Sequence, residues 1–260
     1  MRKKISAVLN TYNAAKYLDR VLTYLEVFDE IVVCDMESTD ETLDIARRHG
    51  CKIVTFPKGE HKICEPARDF AIHSASNEWV LVVDADEIVP RTLAEYLYSA
   101  INGQGYEGAF DIPRINMFMG EQFPERADRQ LRFFRKGVAF WPPTIHSHPQ
   151  LDCEIRELPM RRGLSLIHLD NPDISQRLAK LNNYTDYDAR RRVGRRYGAF
   201  GMLLRPMWFF FRSYILQGEI RHGRKGILSS YFSMVYQITL MAKIYELQNP
   251  DVLDADSERL

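Results

Sequence analysis

A chain of 260 residues can form one substantial domain with an appendage, and 45% apolar with 27% charged side chains is ordinary for a soluble globular protein. The net charge is zero, which selects no class of partner. The distribution is uneven, however: between Gln176 and Gly226 twelve Lys or Arg stand against three Asp or Glu, a bias suited to an anionic surface.

Cys34, Cys51, Cys64 and Cys153 form no C-x-x-C pair and no metal-ligand spacing, which argues against a zinc site and a disulfide framework. They read as core or incidental thiols of a reducing compartment. Met1-Arg-Lys-Lys leads directly into a short strand pattern with no long apolar run, so a cytoplasmic protein is expected.

Ile5 to Asn10 reads as a first strand ending in Thr11-Tyr12-Asn13. Tyr17, Leu18, Val21, Leu22 and Leu25 recur at helical spacing. Glu30 to Asp35 is a second buried strand that ends on an acid. Ser38 to Thr42 offers capping residues, Asp40 among them, for a helix that stops at Gly50. A third strand, Lys52 to Phe56, and a helix from Glu65 to Ser74 follow. Trp79 to Asp84 is an uninterrupted apolar run, as expected of a strand covered on both faces, and the chain then presents Asp84, Asp86 and Glu87. This alternation predicts an α/β fold with a largely parallel sheet and helices on both faces. There is no G-x-G-x-x-G after the first strand and no G-x-x-x-x-G-K-[ST], which weighs against a Rossmann dehydrogenase and a P-loop enzyme. Phosphate must be held by metal or side chains.

A helix from Leu93 to Ile101 precedes a strand from Ala109 to Asn116. Met117 to Gly120 and Gln122 to Pro124 look like loop, and Asp128 to Phe134 like a further strand. Trp141 to His148 is loop-like, and His168 to Pro172 is a Pro/Asn-rich break. The expected domains are 1–170, α/β, and 171–260, helical.

Ligands bind open α/β sheets at the carboxyl ends of the strands. Asp84 and Asp86, one residue apart, can share a hard cation such as Mg²⁺ or Mn²⁺ through oxygen ligands. Tyr12 can stack on a flat base, while Asn13 and Asp35 can meet a base or sugar hydroxyls. His146 is a candidate third metal ligand. Asp128 can pair with Arg132 or Arg129, and His168 reads as structural.

Leu9 to Asn13, Asp29 to Asp40 and Trp79 to Glu87, in this order and spacing, resemble a family 2 glycosyltransferase of the GT-A fold. Asp128-x-x-x-Arg132-x-Phe134, His146, His168 and the basic, aromatic C-terminal segment resemble the lipopolysaccharide-core glucosyltransferase subgroup. The resemblance implies that Thr11, Tyr12, Asn13 and Asp35 contact the nucleotide, with Arg68 near the diphosphate or base. It implies Mn²⁺ or Mg²⁺ at Asp86, Asp84 on the ribose or metal, and a general base at Asp128, with Glu125 competing. It further implies an inverting transfer of a hexose from a UDP-sugar to a lipopolysaccharide-core or other lipid-linked glycan, with no nucleic-acid partner. A polyprenyl-phosphate or capsule or O-antigen acceptor is an alternative, as is a non-catalytic, membrane-docked nucleotide-binding protein. One departure stands out: subgroup members often read His-Glu where this chain reads His146-Ser147-His148.

Downstream, Arg190 to Arg196 is followed by Leu203 to Leu216, with Trp208, Phe209, Phe210 and Phe211 flanked by Arg205 and Arg212. Aromatics flanked by arginines suit the headgroup depth of an anionic membrane. Gly226 to Ala242 has seventeen residues without a charge, fewer than the ~20 apolar residues of a spanning helix, and it holds five polar ones. Helices lying on the inner face of the cytoplasmic membrane are expected. The alternative is a helical subdomain that packs its aromatics against the catalytic domain.

Overall fold

Strand and helix alternate through the first hundred residues: β1 (Ile5–Thr11), α1 (Ala15–Leu25), β2 (Glu30–Asp35), α2 (Thr42–Arg48), β3 (Lys52–Thr55), α3 (Glu65–Ser74), β4 (Trp79–Asp84), the two-residue β5 (Glu87–Ile88) and α4 (Arg91–Asn102). The structure, a computed structural model, describes residues 2–59, 65–103, 105–142, 149–169 and 173–250. β3, β2, β1 and β4 lie side by side and parallel.

Successive residues of a strand point to opposite faces, and here each face has its own core. Ile5, Ala7 and Leu9 of β1, with Trp79, Leu81 and Val83 of β4, pack among Leu18 and Leu22 of α1 and Leu93 and Leu97 of α4. Val8, Val80 and Val82 point the other way and pack on Ala67, Ala71 and Ile72 of α3. Both faces are therefore covered, which is why β4 carries no polar residue before Asp84.

The second half departs from parallel pairing. β6 (Ala109–Phe118) and β7 (Glu121–Arg135) run on either side of Met119 and Gly120, whose φ of 49° and 78° give the left-handed two-residue turn that suits strand twist. The loop expected at 117–124 is thus the tip of a hairpin; Met-Gly lacks the usual Asn-Gly signature of that turn. β7 pairs antiparallel with β4, and Phe133 stacks on Trp79 with ring centroids 5.1 Å apart. β8 (Ala139–Phe140) and β9 (Gln150–Leu151) form a separate ribbon, and β10 (Ile155–Glu157) pairs with β6. β11 (Leu166–His168) lies between β6 and β5, so His168 is a strand residue and not the start of a break.

The chain divides into two compact units, Met1–Met117 with Arg126–Asp170, and Phe118–Glu125 with Asn171–Leu260. The second consists of α5 (Ile174–Arg191), α6 (Ala199–Phe211), α7 (Gly223–Gln248) and the hairpin tip. Asp173 caps α5 by accepting from the Gln176 amide, and Leu240 and Ile244 of α7 pack on Ala189 of α5. Gly226 is required where α7 crosses residue 219, because a Cβ there would lie 1.8 Å from the Glu219 carbonyl oxygen. Among the described residues no helix is long and apolar enough to cross a membrane.

Truncating a fully buried side chain of the central strand should leave a cavity in the first core. Leu81→Ala is expected to cost about 2–5 kcal/mol in chemical denaturation. A change below ~1 kcal/mol would contradict the packing described.

Candidate active site

The parallel register aligns the carboxyl ends of the strands. Thr11 stands opposite Asp35, Asn10 opposite Asp84, and Asp35 opposite Thr55. Functional side chains gather at this edge because the next residues leave the sheet and no longer need to be apolar.

At one end of the edge lie four residues expected at a nucleotide. Asp35 is buried, its Oδ1 accepting from the Thr11 hydroxyl at 2.8 Å and from the Ser38 hydroxyl at 2.6 Å, and its Oδ2 from the Ser38 amide at 2.8 Å. Asn13 sits in the left-handed region (φ 49°), where Asn is tolerated, and its Oδ1 accepts from the Thr39 amide at 2.8 Å. The Tyr12 ring is 45% exposed and open to a planar partner, with the Lys58 ammonium 4.2 Å from its centroid. Asp40 accepts from the Ala15 and Thr42 amides at the starts of α1 and α2, although the N-cap position of α2 is Glu41.

At the other end three guanidiniums meet three carboxylates. Arg68 and Arg132 donate to opposite oxygens of Asp84 at 2.7 and 2.6 Å, and both cations lie against the Trp141 ring. Arg114 donates to Glu87 at 3.0 Å and grips Asp128 through Nε and Nη2 at 3.0 and 2.6 Å. Glu87 in turn accepts from the Asp84 amide at 3.0 Å. Asp128 therefore pairs with Arg114, not with the expected Arg132 or Arg129. Asp84, expected at a metal or ribose, has both oxygens on arginines.

Asp86 carries a different partner. His168, reached through β11, approaches Asp86 Oδ2 with Nε2 at 3.1 Å while its Nδ1 contacts Asn116 Oδ1 at 2.9 Å. The Leu169 amide also donates to the Asp86 carbonyl at 2.7 Å. Burial disfavours the imidazolium, but the hydrogen bond and charge of Asp86 outweigh it and raise the His168 pKa. Among the described residues no three His, Cys, Asp or Glu side chains converge as a ready metal cage. Asp86 and His168 do offer one carboxylate oxygen and one imidazole nitrogen side by side, a donor set that fits a divalent cation whose other ligands come from diphosphate and water.

His168, expected to be structural and also part of the family resemblance, is brought to Asp86 by the pairing of β11 with β5. Arg114 was not among the residues expected at the site. His146 and the side chain of Glu125 lie outside the described residues. Buried polar atoms at this edge also lack a hydrogen-bond partner among the described residues: both amide atoms of Asn10, Nε and Nη1 of Arg132, and Nε1 of Trp141. Four of these five atoms could donate, a surplus suited to an anionic ligand.

The arginines give this end a pH dependence. Burial alone would raise the Asp84 carboxyl, but Arg132 and Arg68 outweigh it and hold the group well below the usual carboxylate range. A depressed carboxyl contributes stability that is complete above its unfolded value, near ~4, and fades as pH falls toward the folded value. The thermal midpoint should therefore fall as pH drops below roughly 5 and go on falling toward the folded value, and Asp84→Asn should flatten that fall. An identical slope in the variant would remove Asp84 as its source.

The family model described as glycosyl transferase family 2 matches residues 6–151. The chain is 27% identical over 261 residues to an uncharacterised glycosyltransferase of Rickettsia typhi, covering 94% of this chain and 88% of the relative. It is 27% identical over 263 residues to the lipopolysaccharide core biosynthesis glycosyltransferase LpsC of Rhizobium meliloti, covering 96% and 97%. Among solved structures it is similar to residues 1–349 of TarS from S. aureus (TM-score 0.51, 15% identity, 89% of this chain and 90% of that one). It is also similar to the mannosyltransferase PcManGT from Pyrobaculum calidifontis (TM-score 0.52, 16% identity, 94% and 88%). These likenesses assign the GT-A fold, and with the family match spanning more than half of its length the chain belongs to glycosyl transferase family 2.

Proposed function

We propose that the protein transfers a hexose, with inversion, from a UDP-sugar to a hydroxyl of a lipopolysaccharide-core or other lipid-linked glycan at the inner face of the cytoplasmic membrane. The observation that carries this reading is the gathering, at one sheet edge, of a pre-oriented acid and exposed ring at one end and a carboxylate–imidazole pair beside arginines at the other. That order along the edge suits a ligand with a base and ribose at one end and a diphosphate at the other.

In this reading Tyr12 stacks on the base. Asp35, held by Thr11 and Ser38, accepts from the base or ribose. Arg68 and Arg132 turn from Asp84 toward the diphosphate, whose higher charge makes it the stronger partner for a guanidinium. Asp86 and His168 hold a divalent cation, which when bound supplies a Lewis acid for the leaving diphosphate. Asp128 accepts the proton of the attacking hydroxyl and is oriented for it by the two-point grip of Arg114; Glu125 is the competing base. The nitrogen ligand favours Mn²⁺ over Mg²⁺, which prefers oxygen. The name of LpsC supports a lipopolysaccharide-core acceptor. That PcManGT was solved with GDP-Man and Mn²⁺ supports nucleotide-sugar donation with a metal.

The test is UDP release from a panel of UDP-hexoses, with Mn²⁺ and truncated lipopolysaccharide as acceptor. Turnover with at least one donor is expected, greater with Mn²⁺ than Mg²⁺; no turnover with any nucleotide sugar would overturn the reading. Asp128→Asn should lower kcat by about 10²–10⁴-fold with little change in donor KM. An unchanged kcat in that variant with loss in Glu125→Gln would transfer the role to Glu125.

A further inference from the structure

Helix α6 is apolar apart from Arg205, but only one side of it is used within its own unit. Its inner side is committed to α7: Arg205 donates to Gln237 at 2.9 Å, Phe210 packs on Tyr231 with centroids 5.2 Å apart, and Pro206 is buried. Its outer side presents Phe200, Leu203, Leu204, Met207, Trp208 and Phe211, residues spaced by three and four so that they form one stripe. They are 46–81% exposed, Phe200 the most. Isolated exposed apolar residues need no explanation, whereas six on one helix face form a contiguous patch of the kind that marks an interaction surface.

The charge around the stripe decides what covers it. Arg195 and Arg196 lie in the turn before α6, and Arg212 follows its last residue; all three are exposed. Among the described residues none of them pairs with a carboxylate, and Arg212 rests over the Phe209 ring. Cations thus stand at both ends of an apolar stripe, the arrangement that meets lipid phosphates while rings and aliphatic chains enter the acyl boundary. A second copy of the chain suits the stripe less well, because a two-fold axis through it would bring these arginines against their own copies with no carboxylate between. Among the described residues no helix is able to span a bilayer.

We infer that the exposed face of α6, with Arg195, Arg196 and Arg212, is the surface by which the second unit lies on a bilayer carrying anionic headgroups. This specifies the membrane partner of the proposed function, and its test does not require turnover. Trp208 is 52% exposed while Trp79 and Trp141 are 1% and 5% exposed, so a change in tryptophan emission on vesicles reports this face. The full chain should co-sediment with phosphatidylcholine vesicles containing 30% phosphatidylglycerol at least tenfold more than with phosphatidylcholine alone, with a blue shift in emission.

Leu203→Ser with Phe211→Ser, and separately Arg195→Gln with Arg196→Gln, should each lower sedimentation at least fivefold. UDP binding with Mn²⁺ should be unchanged in both, which separates failure of docking from failure of the donor site. Equal sedimentation of wild type and both variants would overturn the inference. So would an unshifted emission, or a wild-type dimer that the stripe variant dissociates while vesicle binding stays the same.

Discussion

The carboxylates at the end of β4 dominate the first unit. β4, covered on both faces, leads to a partly exposed Asp84 and a fully buried Glu87, and both carboxylates are met by arginines of the protein. Arg68 comes from α3, Arg114 from β6 and Arg132 from β7, so three elements far apart in sequence converge on one strand end. Such a lattice adds little net stability, since desolvation offsets much of its Coulombic gain. What it provides is a set of oriented cations at the strand end, Arg68 and Arg132 on Asp84 and Arg114 on Glu87. The same convergence draws Asp128, the candidate base, and Glu87 to one shared arginine, Arg114.

Much of this was legible in the residues before any coordinates. Strands β1 to β4 and helices α1 to α4 follow from apolar periodicity and from capping residues, because each is specified within a window of ten residues or so, whereas the two-residue β5 was not expected. The gathering of Thr11, Asp35 and Asp84 at one edge follows from parallel pairing alone. What could not be read locally was anything set by register between distant strands. His168 meets Asp86 because β11 inserts between β6 and β5, and Arg114 finds Asp128 because a Met-Gly turn folds β6 back on β7. Neither signal resides in a motif. The expected pairing of Asp128 with Arg132 failed for a related reason: on a strand, residues four apart lie well over 10 Å from one another along the chain direction.

The second unit follows a different logic. Its core is small, with Leu240 and Ile244 on Ala189, and much of its apolar surface faces outward. Buried polar links specify the packing where apolar contacts are few: Ser230 on Glu219, and Tyr236 on Asp188. The aromatic cluster expected from sequence therefore divides, Phe210 turning inward to Tyr231 and Phe200, Trp208 and Phe211 outward. The helices act as a platform rather than as an enclosed core.

The central claim is that Asp86 and His168 together hold the cation that a nucleoside diphosphate requires. Calorimetric titration of UDP into the wild type, Asp86→Ala and His168→Ala, each with and without Mn²⁺, tests it most directly. The account predicts Mn²⁺-dependent binding in the wild type, lost in the first variant and at least tenfold weaker in the second. Binding that is equally tight without Mn²⁺, or that survives intact in both variants, would contradict it.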